Sequence, residues 1–538
     1  MRKLLIGLTL LGSAAAPAPA QPAPPKLLIA ISVDQLSSDL WDSYRPHFRG
    51  GFARLAGGAD FRNGYQSHAA TETCPGHSTI LTARLPASNG IVANQWVDQA
   101  IARSDKVVYC AEDETVEGST STSYTVSPAH LKARTLGDLM KAANPASRNV
   151  AVAGKDRAAV MMGGRAVDQR WYWNGKAFAT DLKGVTPPRT LPAVNAAVAA
   201  ALAAARPALD PPPLCAAKAR SYALAPNLSV GANRFARAAG DARALRISPE
   251  FDALTLALSA ALIQEMGLGR GPATDLISIG LSATDYVGHA YGTDGMEMCL
   301  QLLALDRELE SFFAMLDRAG IDFAVVLTSD HGGMDIPERL REKGVTGAAR
   351  AVRELAPAEV GKRLAPRFDQ TESVLRGLGI GGDVWVDAAV PASRKAAVVR
   401  AAKDSYAAHP QVHAVFTREE ILRVALPSGA PNQWSILQRV RAAFDPTRSG
   451  DLYVVLKEHV SPIAAPSQGY VATHGSPWDY DRRVPILFWR KGQAAVRSEA
   501  HVDTIDIMPT LAAMIGLRLE PAGGSGRCLS VPGIMCPR

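Results

Sequence analysis

An α/β fold built on a mostly parallel central sheet is what three observations in this chain predict. The runs KLLIAISVD (26–34), DLISIGLSATD (275–285) and DFAVVLTSDHGG (322–333) are rich in β-branched and aliphatic residues, and each reaches an aspartate at its end. Between the last two lies MEMCLQLLALDRELESFFAMLDRAG (296–320), whose apolar residues recur at helical spacing before a glycine stop. Strand, helix and strand in that order form a βαβ unit, and its crossover makes the two strands parallel. Finally, 538 residues at 47% hydrophobic composition supply one large core or two linked ones, which excludes a disordered chain.

Taken in order, the chain opens on MRKLLIGLTLLGSAAAPAPAQ, two cations followed by a short apolar run and small residues. This is a secretory signal over residues 1–20, cut near Ala20. Its apolar run, 4–11, is too short to span a bilayer, and no later segment stays apolar for the roughly 18 residues a membrane helix needs. The expectation is therefore a soluble protein exported to the periplasm of a Gram-negative bacterium, or secreted. The catalytic domain is expected over 26–538. Within it, PEFDALTLALSAALIQEMGLG (249–269) reads as a helix started by Ser248 and Pro249 and stopped by glycine. Residues 160–245 are expected to be a peripheral insertion, because 191–241 is alanine-rich and broken by PPP at 211–213. An inserted smaller subdomain is expected over 335–465, with GDVWVDAAV, the helix-like SRKAAVVRAAKDSYAAHP and the strand-like DLYVVL. RRVPILFW (482–489) reads as a return to the main sheet, and DTIDIMPTLAAMIGL (503–517) ends in a helix. No internal repeat is evident.

The formal charge of +7 falls to about +5 once Arg2 and Lys3 leave with the signal, a mild attraction for phosphorylated solutes. No stripe of cations interleaved with aromatics appears, so nucleic acid is not expected as a main partner. Of the 6 cysteines none forms a CxxC pair, and structural zinc on cysteine is not expected. Export permits disulfides, and Cys528 with Cys536 is the expected pair.

The strand-end acids gain meaning from their neighbours. Asp285 and His289 in ATDYVGHAYG are four apart, so on a helical turn carboxylate and imidazole face one side and can grip one cation. Taken alone, the pair reads more readily as a helix cap and a surface histidine than as a ligand pair. Asp330 and His331 precede two glycines, which release strand alternation and let two adjacent ligands serve one metal. His474 lies in a glycine-containing loop, VATHGSPW. Asp34, Asp285, His289, Asp330, His331 and His474 together offer three carboxylates and three imidazoles, a donor set suited to zinc rather than calcium. Six groups exceed what one tetrahedral ion takes. They suit two ions about 4 Å apart that stabilise the attacking and leaving oxygens of one in-line displacement.

The nucleophile is then sought in ETCPGHSTI (72–80). Thr73, at a turn before a helix-like run, can present its oxygen beside exposed helix-start N–H groups. Cys74 and a non-nucleophilic loop are the rival readings, the thiol disfavoured because it would compete as a zinc ligand. His77 and Glu72 receive no chemical role.

TETCPGHSTI with PASNGIVANQW, ATDYVGHAYG, LTSDHGG, VATHGSPWDYDRRVPILF and DIMPTL resemble the PafA-type alkaline phosphatases of the alkaline phosphatase superfamily, relatives of the nucleotide pyrophosphatase/phosphodiesterases. The motifs are spread in order over most of the mature chain. The resemblance implies a three-layer sandwich and two zinc ions. Asp34, Asp330 and His331 would hold the ion that contacts Thr73; Asp285, His289 and His474 would hold the ion on the leaving oxygen. Asn94 would donate to a phosphoryl oxygen. Lys155 and Arg157 in AGKDRAAV, read as an extended segment, share a face while Asp156 points away. In this family such a Lys-x-Arg pair favours phosphate monoesters, whose dianion needs more positive charge. No third, magnesium, site is evident. The implied activity is hydrolysis of small phosphate monoesters through a phosphothreonine intermediate, with a phosphodiesterase or nucleotide pyrophosphatase as the alternative. A monomer is the expected form.

Overall fold

The computed structural model describes residues 23–520 and 526–537. The signal segment read over 1–20 lies outside the described residues. Ten strands make the central sheet: β1 (Leu27–Val33), β2 (Ala59–Tyr65), β3 (Asn149–Ala153), β4 (Gln169–Trp173), β5 (Phe178–Ala179), β6 (Asp275–Leu281), β7 (Phe323–Thr328), β8 (Arg483–Arg490), β9 (Val496–Ser498) and β10 (Val502–Asp503). Their order is β9-β2-β8-β7-β1-β6-β3-β4-β5, with β10 also on β2. β1 runs parallel to both β6 and β7, and β6 runs parallel to β3. The returning strand β8 is antiparallel to β7 and β2.

β1 reads as an unbroken apolar run because both of its faces are buried. Leu27, Ile29 and Ile31 point into one core with Leu262 of α3 (Glu250–Met266) and Phe313 of α5 (Met296–Arg318). Leu28 and Ala30 point into the opposite core with Ile507 and Leu511 of α6 (Ile507–Met514). Each such leucine or isoleucine contributes about 1.5 to 3 kcal/mol by leaving water, and the result is helix, sheet and helix in three layers. The α5 crossover between β6 and β7 is the helix of the expected βαβ unit, and α3 stops at Gly267 in the left-handed conformation. The remaining helices that matter below are α1 (Thr73–Ile80), α2 (Asp156–Gly163) and α4 (Ala283–Tyr291).

A smaller four-stranded antiparallel sheet follows β7 in the chain, ordered Leu375–Arg376, Gly382–Val386, Leu452–Leu456, Val412–Thr417. The helix Ala392–Ala407 packs on it through Val398 and Ala402, giving this inserted subdomain its own core with Val384, Val415 and Val454. One boundary needs correction. Within 160–245, β4 and β5 are edge strands of the central sheet, so the peripheral part starts only after Ala179. Alanine-rich composition marked the segment well, but it could not show that the short aromatic run QRWYW pairs with β3. Disulfides join Cys74 to Cys110, Cys215 to Cys299 and Cys528 to Cys536.

Candidate active site

The carboxyl ends of β1, β6 and β7 lie side by side at the centre of the sheet, where open α/β sheets hold ligands. Asp34 follows β1, Asp285 sits in α4 just past β6, and Asp330 and His331 follow β7. Helix α4 begins at Ala283, so Asp285 and His289 share a turn and approach to 3.4 Å. His474 comes from a loop far along the chain, and its Nε2 lies 3.4 Å from Asp285 Oδ1. Its ring stacks on that of His331 with centroids 3.6 Å apart.

Thr73 is the first residue of α1 and is buried. Gly76, one turn on, lets the helix approach the Asp330 backbone so closely that a Cβ would collide with its carbonyl oxygen. Asn94 is tied at two points: its backbone N–H donates to Glu72 Oε2 at 2.7 Å, and its Oδ1 accepts from the Cys74 N–H at 2.8 Å. The second bond fixes the amide's orientation and leaves its Nδ2 end to donate. Cys74 is bonded to Cys110, so the rival thiol reading falls.

Lys155 and Arg157 reach the site by a different backbone from the one expected. Lys155 is extended and caps α2, while Arg157 lies in the helix's first turn. Lys155 Nζ stands 2.9 Å from Asp34 Oδ2 and 2.6 Å from Asp285 Oδ2. Arg157 Nη2 lies 3.4 Å from Thr73 Oγ1. Asp156 does turn aside, accepting from the Tyr109 and Tyr124 hydroxyls at 2.8 Å each.

The imidazoles show a common pattern. Nδ1 of His289, His331 and His474 faces the carbonyl oxygen of Ala472, Gly332 and Thr71, at 2.8, 2.8 and 2.7 Å. A Nδ1–H donated to a carbonyl leaves Nε2 with its lone pair, the form that binds a metal. Asp285 Oδ1, Asp330 Oδ2, His77 Nε2 and His331 Nε2 are buried without a hydrogen-bond partner although they converge on one another. Buried polar atoms of this kind call for a cation, and the donor set fits divalent metal ions. Two groups have donor atoms within 4.8 Å of one another: Asp285, His331 and His474, and Asp34, His77 and Asp330.

This grouping differs from the expected one in three respects, the first being that His289, expected beside Asp285 and His474, falls in neither group. His331 Nε2 lies 3.2 Å from Asp330 Oδ2 but is also grouped with Asp285 and His474, so it stands between the two sets. His77, given no role from sequence, sits with its Nε2 3.2 Å from Asp34 Oδ1 and its Nδ1 3.3 Å from Asp330 Oδ2. Its place four residues after Thr73 on one helix was the available signal.

Electrostatics separates these groups. Burial opposes charge on all of them, yet the Lys155 ammonium beside it holds the Asp285 carboxyl well below its ordinary value. Burial pushes His289 down to about 4 against the pull of Asp285, keeping it neutral. For His77 burial is outweighed by Asp330 and Asp34, which push it up to about 10.

A sequence profile of the family "Type I phosphodiesterase / nucleotide pyrophosphatase" matches residues 28–477. Alkaline phosphatase PhoK of Sphingomonas sp is 51% identical over 511 residues, covering 94% of this chain and 91% of its own. Alkaline phosphatase PhoD of Zymomonas mobilis subsp. mobilis is 44% identical over 510 residues, covering 94% and 88%. The crystal structure of wild type alkaline phosphatase PafA shares the fold with a TM-score of 0.82 at 24% identity, over 95% of this chain and 99% of that one.

Proposed function

The chain belongs to the type I phosphodiesterase / nucleotide pyrophosphatase family of the alkaline phosphatase superfamily, and from that premise we propose that it is a zinc-dependent alkaline phosphatase acting on phosphate monoesters through a phosphothreonine intermediate. One observation carries the reading. Two cations, the buried Lys155 and the half-buried Arg157, converge with Thr73 on a carboxylate and imidazole cluster that fits two metal ions.

Two zinc ions, held by Asp34, Asp330 and His331 on one side and by Asp285, His289 and His474 on the other, would supply positive charge at the attacking and leaving oxygens and acidify water. The protein's own groups do the rest. The Thr73 oxygen attacks phosphorus in line. Arg157, within reach of that oxygen, holds phosphoryl oxygens by its planar fork, and the Asn94 amide donates to another. Lys155 adds the charge that a dianionic ester requires and a monoanionic diester does not. The alcohol leaves opposite Thr73, and water then attacks the phosphothreonine from that side. Two inversions give retention at phosphorus.

Export to the periplasm is supported by the N-terminal pattern and by three disulfides, which suit an oxidising compartment. Among the described residues no helix is long and apolar enough to cross a membrane. The test is the ratio of kcat/KM for an aryl phosphate to that for its methyl diester, with metal content determined on the same preparation. The expected result is a ratio well above one with two zinc ions per chain. A larger kcat/KM on the diester makes the protein a phosphodiesterase instead.

A further inference from the structure

The mouth of the site opens into a cavity of about 820 Å³ whose lining includes His289 and His474 but neither Lys155 nor Arg157. The inserted subdomain supplies much of the wall: the glycine-rich loop carrying Leu378 and Ile380, then Trp385 and Tyr453. Among its described lining residues there is no lysine or arginine, while the carboxyl groups of Glu72 and Asp383 are there, both half-buried. Two large apolar side chains are left 46% exposed in this cavity, Leu378 and Tyr470. Tyr470 stacks beside His289 with ring centroids 5.2 Å apart.

Resting on the monoesterase reading, we propose that this cavity is a leaving-group subsite selective for esters of uncharged aromatic or aliphatic alcohols, and that it discriminates against substrates carrying a second anionic group. The in-line geometry sends the alcohol away from Thr73, toward His289 and His474, and those two imidazoles open onto the cavity. An aromatic or aliphatic alcohol there covers Tyr470 and Leu378, removing apolar surface from water. A second phosphate, sulfonate or carboxylate finds no cation to pair with there and must give up water without compensation, which costs binding. All the positive side chains of the site lie on the phosphoryl side. Selection for the dianionic phosphate and against a further anion is thus divided between two walls.

Phenyl phosphate and 4-sulfonatophenyl phosphate separate this from intrinsic reactivity. The sulfonate makes the phenolate a better leaving group, so chemistry alone raises kcat/KM, whereas the subsite lowers it, by about tenfold or more. Tyr470→Ala is expected to reduce kcat/KM for phenyl phosphate about fivefold, the range of one aromatic contact. Leu378→Lys, on an exposed loop, is expected to narrow the gap between the two esters. A sulfonated ester hydrolysed as well as or better than phenyl phosphate by the wild-type protein overturns the subsite and leaves the monoesterase reading intact. Absence of turnover on both esters overturns that reading instead. Calorimetric binding of the two esters to zinc-loaded Thr73→Ala, which needs no turnover, then decides: tighter binding of phenyl phosphate supports the subsite, and equal or weaker binding overturns it.

Discussion

The two halves of the candidate site differ in their access to solvent. Asp34, Asp330, His77 and His331 have fully buried side chains. Across the cluster, His289 keeps 16% of its side chain exposed and His474 6%, and both line the large cavity. Chain connectivity explains the contrast. The closed half is built from the ends of β1 and β7 and from α1, all packed against the sheet, while His289 and His474 stand where helix α4 and a late loop meet the inserted subdomain. A closed half suits an ion that stays and steadies the nucleophile. An open half would let the alcohol leave and water enter between turnovers.

The largest expected effect comes from removing metal. Full chelation should abolish monoester hydrolysis, and zinc alone should restore it. If the halves differ as described, graded chelation releases one ion first and activity disappears with that release, which parallel metal analysis and rate measurements will show. Simultaneous loss of both ions would erase the distinction. Next in size is Thr73→Ala, expected to lower kcat/KM by about 10⁴-fold, the scale at which loss of a nucleophile is felt. Acid-quenched reactions with labelled substrate should yield phosphoprotein from the wild type and none from the variant. A variant that still traps phosphate would move the nucleophile elsewhere.

Smaller effects probe the cations that join the halves. Lys155→Ala and Arg157→Ala should each cost about 10 to 100-fold on an aryl monophosphate, the range of one charge-assisted hydrogen bond, and less on the methyl diester. Lys155 touches a carboxylate from each half, Asp34 and Asp285, so its loss should also leave both more anionic and tighten zinc retention. Equal losses on the two esters would remove the pair from substrate selection.

Much of this contrast was legible in the residues themselves. Strand-end acids follow from apolar runs of length typical of strands, and a carboxylate four residues before an imidazole follows from helical geometry. The α/β fold and the inserted subdomain were reached that way or through the resemblance, as were the five of the six metal-ligand candidates that fall in the two donor groups, His289 lying outside both. What the chain could not disclose depends on contacts between distant segments. The disulfides Cys74–Cys110 and Cys215–Cys299 join residues 36 and 84 apart with no motif to pair them. His77 looked like packing because its partners lie on other elements. The Lys155 and Arg157 backbone was misread because AGKDRAAV carries no alternation to distinguish a strand end from a helix start. The apolar cavity wall belongs to residues with no catalytic signature at all.

The smallest effect concerns Glu72, which also lay outside the sequence reading's chemistry. Its carboxylate accepts the Asn94 backbone N–H, and the Cys74 N–H, next to Thr73, donates to Asn94 Oδ1. Glu72 is thus expected to act on substrate through Asn94, as a positioning residue. Glu72→Gln retains an acceptor and should lower kcat/KM by less than about tenfold, whereas Asn94→Ala removes the donor itself and should cost about 10 to 100-fold. The decisive measurement is the double variant. If Glu72 works only by aiming Asn94, adding Glu72→Gln to Asn94→Ala changes little further, because groups in one hydrogen-bonded unit are non-additive. Full additivity would mean that Glu72 acts on the open cavity directly, as one of its acids, and would assign it to the open half of the site.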